Sequence, residues 1–461
     1  MPIRDGRFDG SINSAFSRIN ASIGFDKKLY REDIKGSAAY AGALFRKGIL
    51  SEIEKQEIIE GLESITKEIE EGRFPFKTED EDIHMNIERR LFEKIGETAR
   101  KLHTGRSRNE QIVLDERLYL MDKVKALDGK ITALLKSLYT RAKEYINVII
   151  PSYTHLRQAQ LVSLSPIFLA YYHSFRRDKE RLDDYKKRLS ILPLGSGAAA
   201  GSTMDIDRDF LMKELSFETL SRNSIDAVST RDYIIEFEFV CVLILLTLSR
   251  ISEDLIIFSS DETGFFSIPD DLATTSSLMP HKKNPDSLEL IRGKSARVLG
   301  NLVSIITLMK GLPYTYNRDL QEDKEGLFDT VETTFAVIDV MTEIVKGLAV
   351  DESRIKEALV RSKGFLFATD LADYLVLKGA AFRSAHRVVG SIVKYALDRD
   401  KNLQDLTLSE YRTFSKDFAM DVYEVFDSLK SVNSHDTIGG TALNRVSDEL
   451  KRIKKELKDF L

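Results

Sequence analysis

The sequence predicts an all-α protein of three helical domains, the central one a bundle of long helices that forms the core of a homo-oligomer. Three observations carry this. Only nine prolines occur in 461 residues. None lies between Pro193 and Pro269 or after Pro313, so long helices are permitted over most of the chain. Apolar residues recur at helical spacing, whereas regular alternation bounded by hairpin turns and a βαβ rhythm are not evident. Several of these periodic segments run to roughly 25–40 residues, longer than an ordinary globular helix.

Residues 1–105 are expected to form a smaller N-terminal helical domain. Helices are predicted over 26–48, 51–72 and 82–95, after a polar turn at Asn20-Ala-Ser-Ile23. Ser51-Glu-Ile-Glu54 has the capping-box pattern that starts the second of them. Residues 106–354 are expected to hold the central bundle, with helices near 108–147, 166–190, 230–263, 285–311 and 322–350. Ser165-Pro166 suits an N-cap and a first helical turn. At 1.5 Å per residue such helices make a bundle about 40–60 Å long. Residues 355–461 read as a C-terminal domain of shorter helices, with turns at Gly364, Gly379 and Gly439-Gly440.

The most apolar run is Phe237 to Leu248, continued by Ile251 and Leu255 to Phe258. It is too short to span a membrane and is bounded by Glu236, Glu238, Arg250 and Glu253, so a helix buried on nearly all sides is expected. A bundle this long and this apolar would expose apolar surface as a single chain, which predicts an oligomer.

A formal net charge of -5 with 31% charged residues suits a soluble protein and gives no general reason to expect nucleic-acid or membrane partners. The one cysteine, Cys241, permits no disulfide within the chain and favours a reducing, cytoplasmic setting. The opening Met-Pro-Ile-Arg-Asp-Gly-Arg-Phe has no apolar stretch, so no secretion signal is expected.

One stretch departs from the helical texture: Ala273-Thr-Thr-Ser-Ser-Leu-Met-Pro-His-Lys-Lys-Asn-Pro-Asp286. Asn284-Pro285-Asp286 reads as a helix start, with Asn as N-cap, Pro in the first turn and Asp at the positive end of the dipole. The loop therefore delivers hydroxyls and lysines to a helix N-terminus, a natural place to hold an anion.

Five further constellations each admit a functional and a plain reading. Glu81-Asp-Ile-His84 with Glu88 puts His and Glu on one helix face. A metal site would need further ligands at fixed spacing, and none follows, so a surface or capping role is favoured. Arg106, Ser107, Arg108 and Asn109 follow the break at Gly105 and suit carboxylate recognition, or a solvated cap. His155 is read in a short turn just before a helix. It is either structural or the best proton carrier in the chain. Gly195-Ser-Gly-Ala-Ala-Ala-Gly201 has the wrong glycine spacing and no preceding parallel strand for a dinucleotide loop, so a tight turn is expected. Tyr316, Arg318, Gln321 and Lys324 face one ligand or form a solvated loop leading into a helix.

Ser276-Ser-Leu-Met-Pro-His-Lys-Lys-Asn-Pro285 closely resembles the Ser-Ser-x-Met-Pro-x-Lys-x-Asn-Pro signature of the fumarase/aspartase superfamily. Glu81-Asp-Ile-His84, Leu102-His-Thr-Gly-Arg-Ser-Arg-Asn109, Tyr153-Thr-His-Leu156, Asp319-Leu-Gln-Glu-Asp-Lys324 and Ile438-Gly-Gly-Thr441 resemble its argininosuccinate lyase branch. The resemblance runs from Asn20 to the C-terminal region. It implies a homotetramer with a central helix bundle and active sites assembled from three subunits. It implies reversible β-elimination of argininosuccinate to arginine and fumarate, the last step of arginine biosynthesis, with no metal or organic cofactor.

By the same resemblance Ser276 matches the base, with Lys282 and Asn284 binding the charge of the aci-carboxylate intermediate. His155, oriented by Glu289, or a water is the acid. Asn109 and Thr154 join the succinyl end, and Ser22, Arg106, Ser107, Tyr316, Gln321 and Lys324 hold the rest. Two positions depart from the pattern. Thr275 stands where a Gly usually precedes the signature, and His281 stands where a Gln is common. His281 is a feature of adenylosuccinate lyase and keeps that enzyme as the alternative. A non-catalytic, crystallin-like relative is a further one, which the presence of Ser276, Lys282, Asn284, His155 and Glu289 argues against.

Overall fold

A computed structural model describes residues 13–459. The N-terminal octapeptide, read above as lacking a secretion signal, lies outside them. The described chain is built of helices and short two-stranded pairings. Its long helices are Arg108–Glu144, Ser165–Leu189, Asp232–Phe258, Asp286–Met309 and Asp323–Gly347, each within a few residues of expectation except at the end of the third. The third stops at Phe258, where the Ser260 and Thr263 hydroxyls turn back onto the Ile257 carbonyl. No described helix is long and apolar enough to cross a membrane.

The chain divides into two compact units. Residues through Gly129, Asp178–Ile244 and Ser295–Phe335 make up the first, and Lys130–Arg177, Leu245–Lys294 and the residues from Ala336 onward the second. Each long helix contributes residues to both.

In the first unit the helices Tyr30–Arg46, Glu52–Glu70 and Ile83–Ile95 pack their apolar faces together through Leu44, Ile58, Leu62, Ile65, Ile87 and Leu91. Leu114 and Leu118 of the Arg108–Glu144 helix join the same core. Ser51 and Glu54 form the expected capping box. The helix predicted over 26–48 is broken at its start into Ile23–Asp26, a 3-10 turn Lys27–Leu29, and Tyr30–Arg46. Asp26 ends the first of these turns, and its carboxylate accepts from the Ile83 amide at 3.2 Å. Cys241 is fully buried, and burial pushes its thiol well above the ordinary range.

In the second unit Glu352–Arg361, Ala368–Leu377 and Phe382–Asp398 are the shorter helices expected near the C-terminus, and Leu443–Asp459 follows. Leu371, Leu375, Val389, Ile392, Tyr411 and Phe418 form a core there. Gly364 and Gly379 turn the chain at φ 75° and 98°.

Two sequence expectations need correction. Ile149–Thr154 and Arg157–Ser163 form an antiparallel hairpin, so His155 sits at a hairpin tip and not in a turn before a helix. The two-residue turn is His155-Leu156, with both residues at positive φ (54° and 57°). It lacks the Asn-Gly or Gly-Gly pair that flags such a turn, and the register shifts between Pro151 and Tyr153, which hid the alternation. Asn284 does not cap the following helix. It pairs with Thr274 in a short ladder, and the helix begins at Asp286.

Candidate active site

The first unit holds a cavity of about 430 Å³. Its walls come from four stretches that the sequence keeps apart. The Arg108–Glu144 helix begins on a reciprocal cap: Ser107 Oγ accepts from the Asn109 amide at 3.2 Å, and Glu110 accepts from the Ser107 amide at 3.0 Å. This cap turns Arg108 and Asn109 into the cavity. Glu110 also accepts from the Gly195 amide at 2.6 Å, so the Gly195–Gly201 turn closes on a carboxylate of the chain itself.

Ser22 reaches the cavity from the N-terminal loop, and its hydroxyl donates to Asp26 at 2.5 Å. Burial pushes the Asp26 carboxyl up to about 6, against the pull of His84 and the Ser22 hydrogen bond. Asp82 caps the Ile83–Ile95 helix by accepting from Met85 at 2.7 Å, and His84 follows it inward. Tyr316, Gln321 and Lys324 come from the segment before the Asp323–Gly347 helix. Of the residues expected to bind substrate, Ser22, Asn109, Tyr316, Gln321 and Lys324 thus line one cavity. Arg106 does not. It is buried beside it, donating to Ser37 at 3.1 Å and lying 5.1 Å over the Tyr40 ring. Ser107 serves the helix cap.

Two buried charge clusters stand behind the wall. Lys324 Nζ lies 2.7 Å from Asp323 and 2.9 Å from Glu116, and Arg231 bridges the same two carboxylates. All four side chains are almost fully buried, so each charge is matched within the cluster. His84 Nδ1 lies 2.9 Å from Asp33 and 3.4 Å from Asp115. The spacing of His84 gave no hint of this, and its surface or capping reading is overturned. These three could present ligand atoms to a metal. However, the Arg106 and Arg108 guanidiniums act on both aspartates and already supply positive charge there.

The remaining expected residues belong to the second unit. Thr154 and His155 are exposed at the hairpin tip, and His155 makes no side-chain hydrogen bond or ion pair among the described residues. The signature segment is itself a hairpin, with Thr274-Thr275 paired to Lys283-Asn284. Ser276 Oγ accepts from the Leu278 and Met279 amides at 3.3 and 3.0 Å. Two N–H dipoles aimed at one hydroxyl oxygen favour its ionised form. Thr275 lies in the extended ladder with a negative backbone φ, so this conformation does not require glycine. Lys282 and Glu289 are exposed, and Asn284 donates to Thr274 at 3.4 Å.

The Lyase family matches residues 6–300, and the Argininosuccinate lyase C-terminal family matches residues 365–433. The argininosuccinate lyase of Trichlorobacter lovleyi is 45% identical over 98% of this chain and 98% of its own length. That of Syntrophotalea carbinolica is 46% identical over 98% and 97%. The chain belongs to the argininosuccinate lyase family. A crystal structure of EDDS lyase in complex with formate shares the fold of this argininosuccinate lyase family member, with a TM-score of 0.85 at 24% identity over 98% of this chain and 91% of that one.

Some residues of this family member escaped sequence reasoning. Asp26 and Glu116 sit in helices and Arg231 just ahead of one, where a charged residue ordinarily reads as a solvated face or cap. The one available signal was that Arg231 and Glu238 flank or interrupt a strongly apolar run, where an unpaired charge is costly.

Proposed function

We propose that the chain catalyses the reversible elimination of argininosuccinate to L-arginine and fumarate, as the last step of arginine biosynthesis. The observation that carries this is near-full-length identity of 45–46% to curated argininosuccinate lyases. With that identity on both sides of the signature, His281 no longer favours adenylosuccinate. The test is to mix the purified protein with argininosuccinate and follow fumarate by ultraviolet absorbance, with adenylosuccinate in a parallel cuvette. Fumarate from argininosuccinate alone is expected. Fumarate from adenylosuccinate alone overturns the assignment.

In this reading Ser276 removes the proton next to the carboxylate. The Leu278 and Met279 amides support its alkoxide, a role that positive charge from Lys282 alone would fill less well. Lys282 and Asn284 bind the aci-carboxylate. His155, oriented by Glu289, protonates the leaving guanidino nitrogen. Asn109 and Thr154 hold the succinyl end, and Ser22, Tyr316, Gln321 and Lys324 the arginine end, with Arg106 and Ser107 supporting the same wall.

The functional assembly is a homotetramer whose sites combine residues of three subunits. Exposed apolar residues on two long helices support it: Phe239 and Leu246 on one, Leu299, Val303 and Ile306 on the other. Exposure of His155 and Lys282 in the single chain is what a site completed by neighbours requires. Division at 105/106 and 354/355 belongs to this reading, because the long helices all fall between Arg108 and Gly347. The cytoplasm is its setting, and no metal or organic cofactor enters the chemistry.

A further inference from the structure

Glu81 occupies a conformation that L-residues rarely adopt. Its φ and ψ are 66° and -61°, and the Asp82 amide donates across it to the Asp80 carbonyl at 2.7 Å. This is the γ-turn of the uncommon, strained hand. Glycine or asparagine would accept such a backbone more readily.

Both polar groups of Glu81 are used. Its carbonyl accepts from the Ser22 amide at 2.9 Å and the Ile23 amide at 3.0 Å. Its carboxylate accepts from Asn20 at 2.6 Å through one oxygen and from Arg318 at 2.6 Å through the other. Arg318 also donates to the Asn20 carbonyl at 2.8 Å, which closes the triangle. Three stretches therefore meet at one residue: Asn20–Ile23, Asp80–Asp82 and the Tyr316–Lys324 segment. An asparagine at position 81 would suit the backbone but is one methylene shorter, which leaves the span between Asn20 and Arg318 unbridged. Strained backbone persists where surrounding contacts over-determine it, and such sites gather at ligand clamps.

We propose that Glu81 is a positioning residue for the arginine portion of the substrate. By clasping the loop that carries Ser22 to the segment that carries Tyr316, Gln321 and Lys324, it sets the width of the cavity before substrate arrives. This rests on the argininosuccinate reading. The clasp acts on binding and leaves the bond-breaking step to residues elsewhere in the sequence.

The experiment uses the intact oligomer and compares wild type with Glu81→Gly, which tolerates the turn but removes the carboxylate. KM for argininosuccinate and the inhibition constant of the product arginine are both expected to rise about 10- to 100-fold, the loss typical of charge-assisted hydrogen bonds. kcat and the inhibition constant of fumarate should stay within about threefold. Glu81→Gln keeps the length and one acceptor but loses the charge and the second acceptor, so it should recover only part of the loss. Arg318→Gln, which leaves the turn untouched, should reproduce the Glu81→Gly pattern, and the double variant should be no worse than either single one.

Unchanged KM and arginine inhibition in Glu81→Gly and Arg318→Gln overturn the proposal. So does a parallel loss in kcat and fumarate inhibition. If wild type itself releases no fumarate from argininosuccinate, the functional reading has failed and not the clasp.

Discussion

Asp33 and Asp115 flank the same imidazole, His84, and their carboxyls are pushed in opposite directions. Burial works against ionisation of both. His84 nevertheless holds Asp33 below the ordinary carboxylate range, while burial and the neighbouring Asp33 charge push Asp115 well above it. Neither Asp115 oxygen has a hydrogen-bond partner among the described residues. Asp33→Asn should therefore destabilise the protein by about 3–5 kcal/mol, whereas Asp115→Asn should change stability by about 1 kcal/mol or less. Because the folded Asp33 is more acidic than the unfolded one, its contribution is full above the ordinary value of 3.8 and is lost as pH falls below it. Urea denaturation at neutral and acid pH checks both statements.

Glu238 gives the opposite pH signature. Burial pushes its carboxyl up to about 8. An acid with a raised folded value contributes stability below its unfolded value of 4.5 that declines as pH rises toward 8. Glu238→Gln should leave the thermal midpoint nearly unchanged at pH 5 and raise it at pH 8, as read by thermal melts across that range.

Arg231 is matched against Glu116 and Asp323 in the cluster that also holds Lys324. Arg231→Met leaves two buried carboxylates with one cation. A loss of about 3–5 kcal/mol is expected, together with weaker substrate binding through a displaced Lys324. Denaturant midpoints and KM measure the two effects.

Ser276→Ala, His155→Asn and Lys282→Met address the chemistry. All three side chains are partly or fully exposed in the single chain, so the fold should survive. kcat should fall about 10²- to 10³-fold for each, with an unchanged elution volume on size exclusion. Near-wild-type turnover by Ser276→Ala would remove it as the base.

Leu156 is an exposed residue at φ 57° in the hairpin tip. Leu156→Gly relieves that backbone and should stabilise the hairpin by up to about 1 kcal/mol. If kcat falls all the same, the leucine has a contact in the assembled enzyme, and steady-state kinetics will report it.

The helices were legible because their signals are local. Ser51 to Glu54 spans one turn, and proline-free stretches show directly where long helices can run. The hairpin at 149–163 was hidden because His155-Leu156 lacks the residues that favour positive φ. The partners of His84 were hidden because pairing with Asp33 and Asp115 is tertiary, and mid-helix aspartates ordinarily face water. The signature at Ser276–Pro285 is legible as a motif, but its Asn284-Pro285-Asp286 end carries the residues of a helix cap where the chain forms a ladder from Thr274 to Asn284. Asn and Pro serve both turns and caps, and only backbone pairing decides between them.

Cys241 has a practical consequence. It is the single cysteine of the sequence, and its sulfur is sealed in the core with its thiolate suppressed. A cysteine introduced on the signature hairpin, for example Leu278→Cys, would be the only thiol within reach of a maleimide dye. The surroundings of that hairpin with and without substrate can then be compared by fluorescence in the otherwise natural sequence, with no background label to subtract.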